Sequence, residues 1–347
     1  MEFLRESKIR KNFGHIYRTK KAFKILGVMF CVYVLITLLL LLPVATSSLQ
    51  RVDPVLSYDG DNPFILFDER ALLSAHRAGG ALAPENTMSA FINCLESVEY
   101  SVDILEFDLR LTKDNELVLL HDETLDRTSN SAEFFGKEKV KASEKTLTEL
   151  KQLNMGENFL AENGTMPYRG LRGNDIPEQV KIPAFEEVLA YCEAKRSDLR
   201  YIVEIKDGGS LGKRAADKVY EILSQKGLTD KVIIGSFKSE TLKYLDEKYP
   251  SLARSASPAE ALLTYYRFLF NVNLNKYGVK FEVLQIPNLK FFKTGGAAFI
   301  DYCHHYDIAV QYWTINDKDE MRSLIKSRAD AIITDNPALA YEVLKGK

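Results

Sequence analysis

Ile104-Leu105-Glu106-Phe107-Asp108-Leu109 and Tyr201-Ile202-Val203-Glu204-Ile205-Lys206 are short apolar runs that carry charge at alternate positions. Side chains alternate across a strand, so Glu106 and Asp108 share one face while Phe107 takes the other. Glu204 and Lys206 share a face by the same parity. Two inward carboxylates on neighbouring positions repel unless a cation lies between them, which favours a hard, oxygen-liganded ion such as Mg²⁺ or Ca²⁺. Taken singly, a structural ion pair of Lys206 with Glu204 or Asp108 accounts for the same residues equally well.

Similar runs recur on both sides. Candidate strands are Leu72–His76, Ile104–Leu109, Leu117–His121, Tyr201–Lys206, Val232–Phe237, Leu284–Pro287, Ala309–Ile315 and Ala331–Thr334, with Ala253–Ala256 as a ninth. Amphipathic stretches lie between them: Glu85–Glu99, Leu211–Gln225, Ser239–Lys248, Ala297–His305 and Lys318–Ser327. Strand and helix alternating over about 270 residues indicates an α/β fold with parallel strands. An open doubly wound sheet gives the same alternation. The placement of polar residues favours a closed (β/α)8 TIM barrel: His76, Glu106, Asp108, His121, Glu204, Lys206, Ser236, Trp313, Asn316 and Asp335 all fall at or just past the C-terminal ends of candidate strands. In a barrel those ends converge on one mouth, where such folds carry their chemistry. Residues 127–180 break the rhythm and read as an insertion after the third strand.

The first 24 residues hold eight Lys or Arg against Glu2 and Glu6, and Ile25 to Leu42 then runs without a charge. About 20 apolar residues cross a bilayer as a helix, and a basic flank stays cytoplasmic. The expected organisation is therefore a basic cytoplasmic tail (1–24), a transmembrane anchor (25–45), a linker (46–70) and the barrel (71–347). This makes a single-pass membrane protein with its barrel extracellular. A cleaved signal peptide fits less well, because the basic region is long and Val44-Ala45-Thr46-Ser47 is a poor cleavage site. A formal net charge of −2 offers no field for nucleic acid. The cysteines, Cys31, Cys94, Cys192 and Cys303, have no CxxC spacing and give neither a zinc site nor a disulfide framework. Nothing in the sequence fixes the oligomeric state.

Within the mouth, His76-Arg77-Ala78-Gly79-Gly80 followed by Pro84-Glu85-Asn86-Thr87 suits an anion site. Arginine grips phosphate through two donors and glycines let backbone approach a ligand. His76 and His121, from separate strands, suit a general acid and base because imidazole titrates near neutrality. Asp122 either orients the His121 ring or caps a turn. Trp313, the only tryptophan, walls a substrate pocket or seals the mouth. His304 and His305 read as surface or outer-layer residues.

Taken together, His76-Arg77-x-Gly79, Pro84-Glu85-Asn86-Thr87, Glu106-x-Asp108, His121-Asp122, Glu204-x-Lys206, Trp313-Thr314-Ile315-Asn316 and Ile333-Thr334-Asp335-Asn336-Pro337 resemble the glycerophosphodiester phosphodiesterase family. The resemblance runs in order from about Leu72 to Leu344. It implies a TIM-barrel enzyme that releases sn-glycerol 3-phosphate and an alcohol from deacylated phospholipids. It further implies that Glu106, Asp108 and Glu204 bind a divalent metal and that His76 and His121 are the acid–base pair. Arg77 and Lys206 would hold phosphate, with Glu85 orienting the site or contributing to the metal. One departure is Ala78, where the family usually has glycine. Rival expectations are a lysophospholipase D-like activity, hydrolysis of a glycerol-phosphate polymer such as teichoic acid, or a non-catalytic barrel that binds phosphodiesters.

Overall fold

The computed structural model describes residues 33–34, 57–66 and 70–346. The chain divides into two units. The larger, Val52–Tyr265 with Asn273–Lys347, contains the barrel, and the described residues of the smaller are 33–34 and 266–272. The expected anchor, 25–45, lies outside the described residues except for Tyr33 and Val34. Among the described residues no helix is long and apolar enough to cross a membrane.

The strands are β1 (Leu72–Ala75), β2 (Ile104–Leu111), β3 (Leu117–Leu119), β4 (Arg200–Ile205), β5 (Val232–Gly235), β6 (Val283–Ile286), β7 (Ala309–Tyr312) and β8 (Ala331–Thr334). Seven of them form a parallel sheet in the order β5-β4-β2-β1-β8-β7-β6. The Ala253–Ala256 segment closes the circle, since Ile234 bridges Arg254 and Ser255 bridges Val283, both in parallel. The eighth stave of the barrel is thus the segment that the sequence left as a ninth candidate.

Leu117–His121 is a correction. β3 pairs antiparallel with β2, Leu109 opposite Leu119 and Leu111 opposite Leu117. Only residues 112–116 separate the two strands, whereas a parallel return needs a crossover of about a dozen residues. β2 therefore overshoots the rim and β3 folds back along it. The insertion at 127–180 follows this hairpin strand rather than a stave. It builds its own apolar core from Val140, Leu150, Leu153 and Met155 against Val118, Leu120, Leu125 and Ile182.

The helices are α1 (Met88–Glu96), α2 (Ser131–Phe135), α3 (Leu147–Leu150), α4 (Phe185–Lys195), α5 (Gly209–Lys226), α6 (Ser239–Lys248), α7 (Pro258–Leu269), α8 (Ala297–His305), α9 (Lys318–Lys326) and α10 (Pro337–Leu344). On β2 the outward Phe107 is fully buried, its ring 5.6 Å from Phe91 of α1 and 5.8 Å from Phe185 of α4. Removing a buried ring of this kind costs roughly 3–5 kcal/mol.

The inward face is layered. At the bottom, Ile104, Ile202, Ile233, Val283, Ala309 and Ala331 pack together. Phe64 and Ile65, within the 46–70 segment read from the sequence as a linker, plug this end. Asn62 fastens the plug by donating to the Glu282 and Asp307 carbonyls at 2.7 and 2.8 Å. One layer higher, Gln285 donates to Gln311 at 3.0 Å. The same alternation brings charged groups to the mouth.

Candidate active site

β1 ends at Ala75, and the chain turns at once through His76–Ala78. Arg77, Ala78 and Gly79 all adopt left-handed backbone, with φ of 52°, 60° and 84°. A side chain at position 78 is therefore strained by roughly 1 kcal/mol relative to glycine. The turn directs the Arg77 amide at Glu106 Oε2, 2.7 Å away. It also sets the guanidinium 3.0 Å from Glu85 and 3.5 Å from Asp108.

Glu106, Asp108 and Glu204 each offer a carboxylate oxygen within 4.8 Å of the other two. Burial, and then the neighbouring Asp108, push the Glu106 carboxyl up to about 7. Burial raises Asp108 as well, but Lys206 and Arg77 outweigh this and hold it below the ordinary aspartate value. Glu204 is raised by burial, partly offset by Lys206. Lys206 Nζ lies 3.0 Å from Asp108 Oδ1 and 2.8 Å from Glu204 Oε1, yet both oxygens lack a well-directed hydrogen bond. The ion-pair reading and the ligand reading of these residues therefore coexist. Asn86 donates to the other Asp108 oxygen at 2.9 Å. A cluster with two under-used carboxylate oxygens and one carboxyl pushed toward neutrality suits a hard divalent cation.

Each histidine is held through Nδ1 by an aspartate: His76 by Asp335 and His121 by Asp122, both at 2.6 Å. An ionised carboxylate only accepts, so Nδ1 carries the proton and Nε2 is left for chemistry. His76 Nε2 stands 3.9 Å from Glu106. Burial lowers its pKa, but Glu106 and the bond to Asp335 outweigh this and the net shift is upward. His121 moves the other way, because burial together with the nearby Lys206 and Arg77 charges outweighs the pull of Asp108 and Asp122. The hairpin delivers this residue: Leu120 donates its amide to the Asp108 carbonyl at 3.0 Å, which seats His121 on the rim.

Arg127, at the start of the insertion, joins two of these arrangements. It donates to Glu85 at 2.6 and 2.8 Å and pairs with Asp122 through Nε. Sequence reasoning missed it, because nothing in a polar insertion singles out one arginine. Phe237, also missed, is half exposed beyond β5. Its ring lies 5.8 Å from Trp313 and 5.8 Å from Lys206 Nζ, making an aromatic wall. His304 is buried and pairs with Asp330 at 2.8 Å, so it belongs to the packing behind the sheet and not to the surface.

The sequence-expected residues His76, Arg77, Glu85, Asn86, Glu106, Asp108, His121, Asp122, Glu204, Lys206 and Trp313 thus meet at one mouth. A closed barrel with an acidic cluster and carboxylate-held histidines at its C-terminal rim defines an enzyme, and comparisons place it among phosphoric diester hydrolases. A model of the glycerophosphoryl diester phosphodiesterase family matches residues 76–339, and the chain belongs to that family. A glycerophosphodiester phosphodiesterase of Caldanaerobacter subterraneus is 28% identical over 277 residues, covering 80% of this chain and 98% of the relative. Another from Bacillus subtilis is 28% identical over 301 residues, covering 81% and 89%. Among solved structures, a glycerophosphodiester phosphodiesterase from Agrobacterium tumefaciens superposes with a TM-score of 0.58 at 21% identity, covering 78% of this chain and 99% of that one. An Oleispira antarctica phosphodiesterase in complex with sn-glycerol-3-phosphate gives 0.59 at 21%, covering 80% and 97%. The likeness to these two structures supports the fold.

Proposed function

We propose that the chain hydrolyses glycerophosphodiesters to sn-glycerol 3-phosphate and an alcohol at the mouth formed by His76, His121 and the three carboxylates. The observation that carries this is the pair of Nδ1-anchored histidines set beside that cluster. Glu106, Asp108 and Glu204 would hold a divalent cation, Mg²⁺ or Ca²⁺, which supplies charge stabilisation to the phosphodiester when bound. Arg77 and Lys206 add positive charge on the same side. His121, held below the ordinary histidine value chiefly by burial, accepts through Nε2 the proton of the attacking group. That group is either water, giving sn-glycerol 3-phosphate directly, or the substrate's own glycerol hydroxyl, giving a cyclic phosphate that water then opens. His76 gives a proton to the leaving alkoxide. Trp313 and Phe237 would wall the substrate pocket beside Lys206. The anchor at 25–45 would hold this domain outside the membrane, a reading that rests on the charge pattern of the sequence.

The test is release of glycerol 3-phosphate from glycerophosphocholine by the full chain, after EDTA and after Mg²⁺ or Ca²⁺ is restored. Release should return with the ion and fall about 10²–10⁴-fold in His76→Ala and His121→Ala with the fold retained. Near-native turnover by His121→Ala would refute the two-histidine scheme.

A further inference from the structure

Residues 261–300 differ from the rest of the chain. They hold nine aromatic residues in forty, about twice the chain's 11%. They also carry five bases, Arg267, Lys276, Lys280, Lys290 and Lys293, against one acid, Glu282, in a chain of net charge −2. That acid is turned inward, where it accepts the Arg254 amide at 2.9 Å.

In three dimensions the segment supplies the rim beyond two adjacent staves. α7 starts just past the closing Ala253–Ala256 segment, and Leu289–Phe292 follows the C-terminal end of β6. The two are joined where Tyr265 donates its hydroxyl to the Phe292 carbonyl at 2.7 Å, with the rings 5.8 Å apart. Outward from this joint Phe291 is 86% exposed, Leu262 58%, Leu263 47% and Leu289 46%. Lys290 and Lys293 are exposed beside them. Large apolar side chains left in water in one patch need a partner surface. A rim of lysine around aliphatic and aromatic groups matches an anionic lipid interface, where rings sit at headgroup depth and cations meet the surface potential.

We propose that this patch docks the barrel rim onto an anionic phospholipid bilayer, bringing the mouth to the lipid surface. The inference goes beyond the hydrolytic reading and does not depend on it. The expected anchor supplies a bilayer within reach. Each large side chain that enters the acyl region strengthens partition roughly tenfold.

The experiment places single indoles on the patch and reads their depth. The full chain and its Phe291→Trp, Leu262→Trp and Val98→Trp variants are reconstituted into phosphatidylcholine–phosphatidylglycerol vesicles with brominated acyl chains. Emission is taken as the increment over the parent. Val98, fully exposed on the loop that precedes β2 at the other end of the barrel, is the control. Indoles at 291 and 262 should be blue-shifted and quenched by the bromines, and the indole at 98 should not. Quenching at 291 no stronger than at 98 would overturn the proposal. So would shielding of that indole from aqueous iodide without bromolipid quenching, which would mean a protein occupant such as a second copy. Neither readout requires turnover, so failure here is distinct from failure of the hydrolytic reading.

Discussion

His121 is under opposed influences: burial, with Lys206 and Arg77 nearby, holds it below the ordinary histidine value, while the carboxylates of Asp108 and Asp122 pull it back up. Asp122→Asn keeps the size of the side chain and removes its charge. The pKa of His121 should then fall further, so the acid limb of the kcat/KM profile should move to lower pH while the plateau drops. A limb that stays in place or moves up would show that His121 is not the base. At this scale the sequence was informative wherever chemistry sits at a strand end. His76, Glu106, Asp108, His121 and Glu204 stand out because charge is out of place in an apolar run. Asp335 was visible as a strand-end residue, but its bond to His76 was not, since the two lie 259 residues apart in the chain. The left-handed backbone that Ala78 tolerates was likewise not legible, because nothing in the sequence marks an alanine as strained.

The β2–β3 hairpin and the insertion act together as elements. β3 carries His121 to the rim, and the insertion returns Arg127 to pin both Asp122 and Glu85. Arg127→Ala should leave the barrel folded and lower kcat about 10–100-fold, the range seen when groups that orient a site are removed. Arg127→Lys should recover little, since a point charge cannot fork between two carboxylates. Unchanged kcat in Arg127→Ala would reduce the insertion to packing. Element order was legible because period-two and helical patterns are strong over most of the chain. One misreading and one undecided segment have local causes. Leu117–His121 is as apolar as a stave, and only the short 112–116 turn betrays the reversal. Ala253–Ala256 hides its role because Arg254 and Ser255 interrupt its apolarity while serving buried ion pairs and bridges.

For the whole molecule, the mouth is a place where stability is given up for function. Glu106 in the metal-free fold has its pKa raised to about 7, above the ordinary glutamate value. The folded state therefore keeps a proton that the unfolded chain releases, and stability should fall as pH rises from the ordinary glutamate range through about 7. A divalent ion replaces that proton. It should raise Tm most above pH 7 and little at mildly acid pH. At a hundredfold excess over Kd the gain is about 2.7 kcal/mol, or several degrees for a domain of this size. Melting curves in EDTA and in Mg²⁺ or Ca²⁺ across pH test this. No gain at any pH would mean that Lys206 and Arg77 alone neutralise the cluster.

The pairing of β1 with β8, and of His76 with Asp335, has a consequence in time. The first stave to be synthesised carries one histidine of the mouth, and the last supplies the residue that orients it. Every ligand and both histidines precede β8 in the chain, yet the barrel has an open seam until that strand arrives. A growing chain at 5–20 residues per second would thus carry its chemical groups for many seconds before they are held in working order. Activity should switch on late in synthesis and all at once.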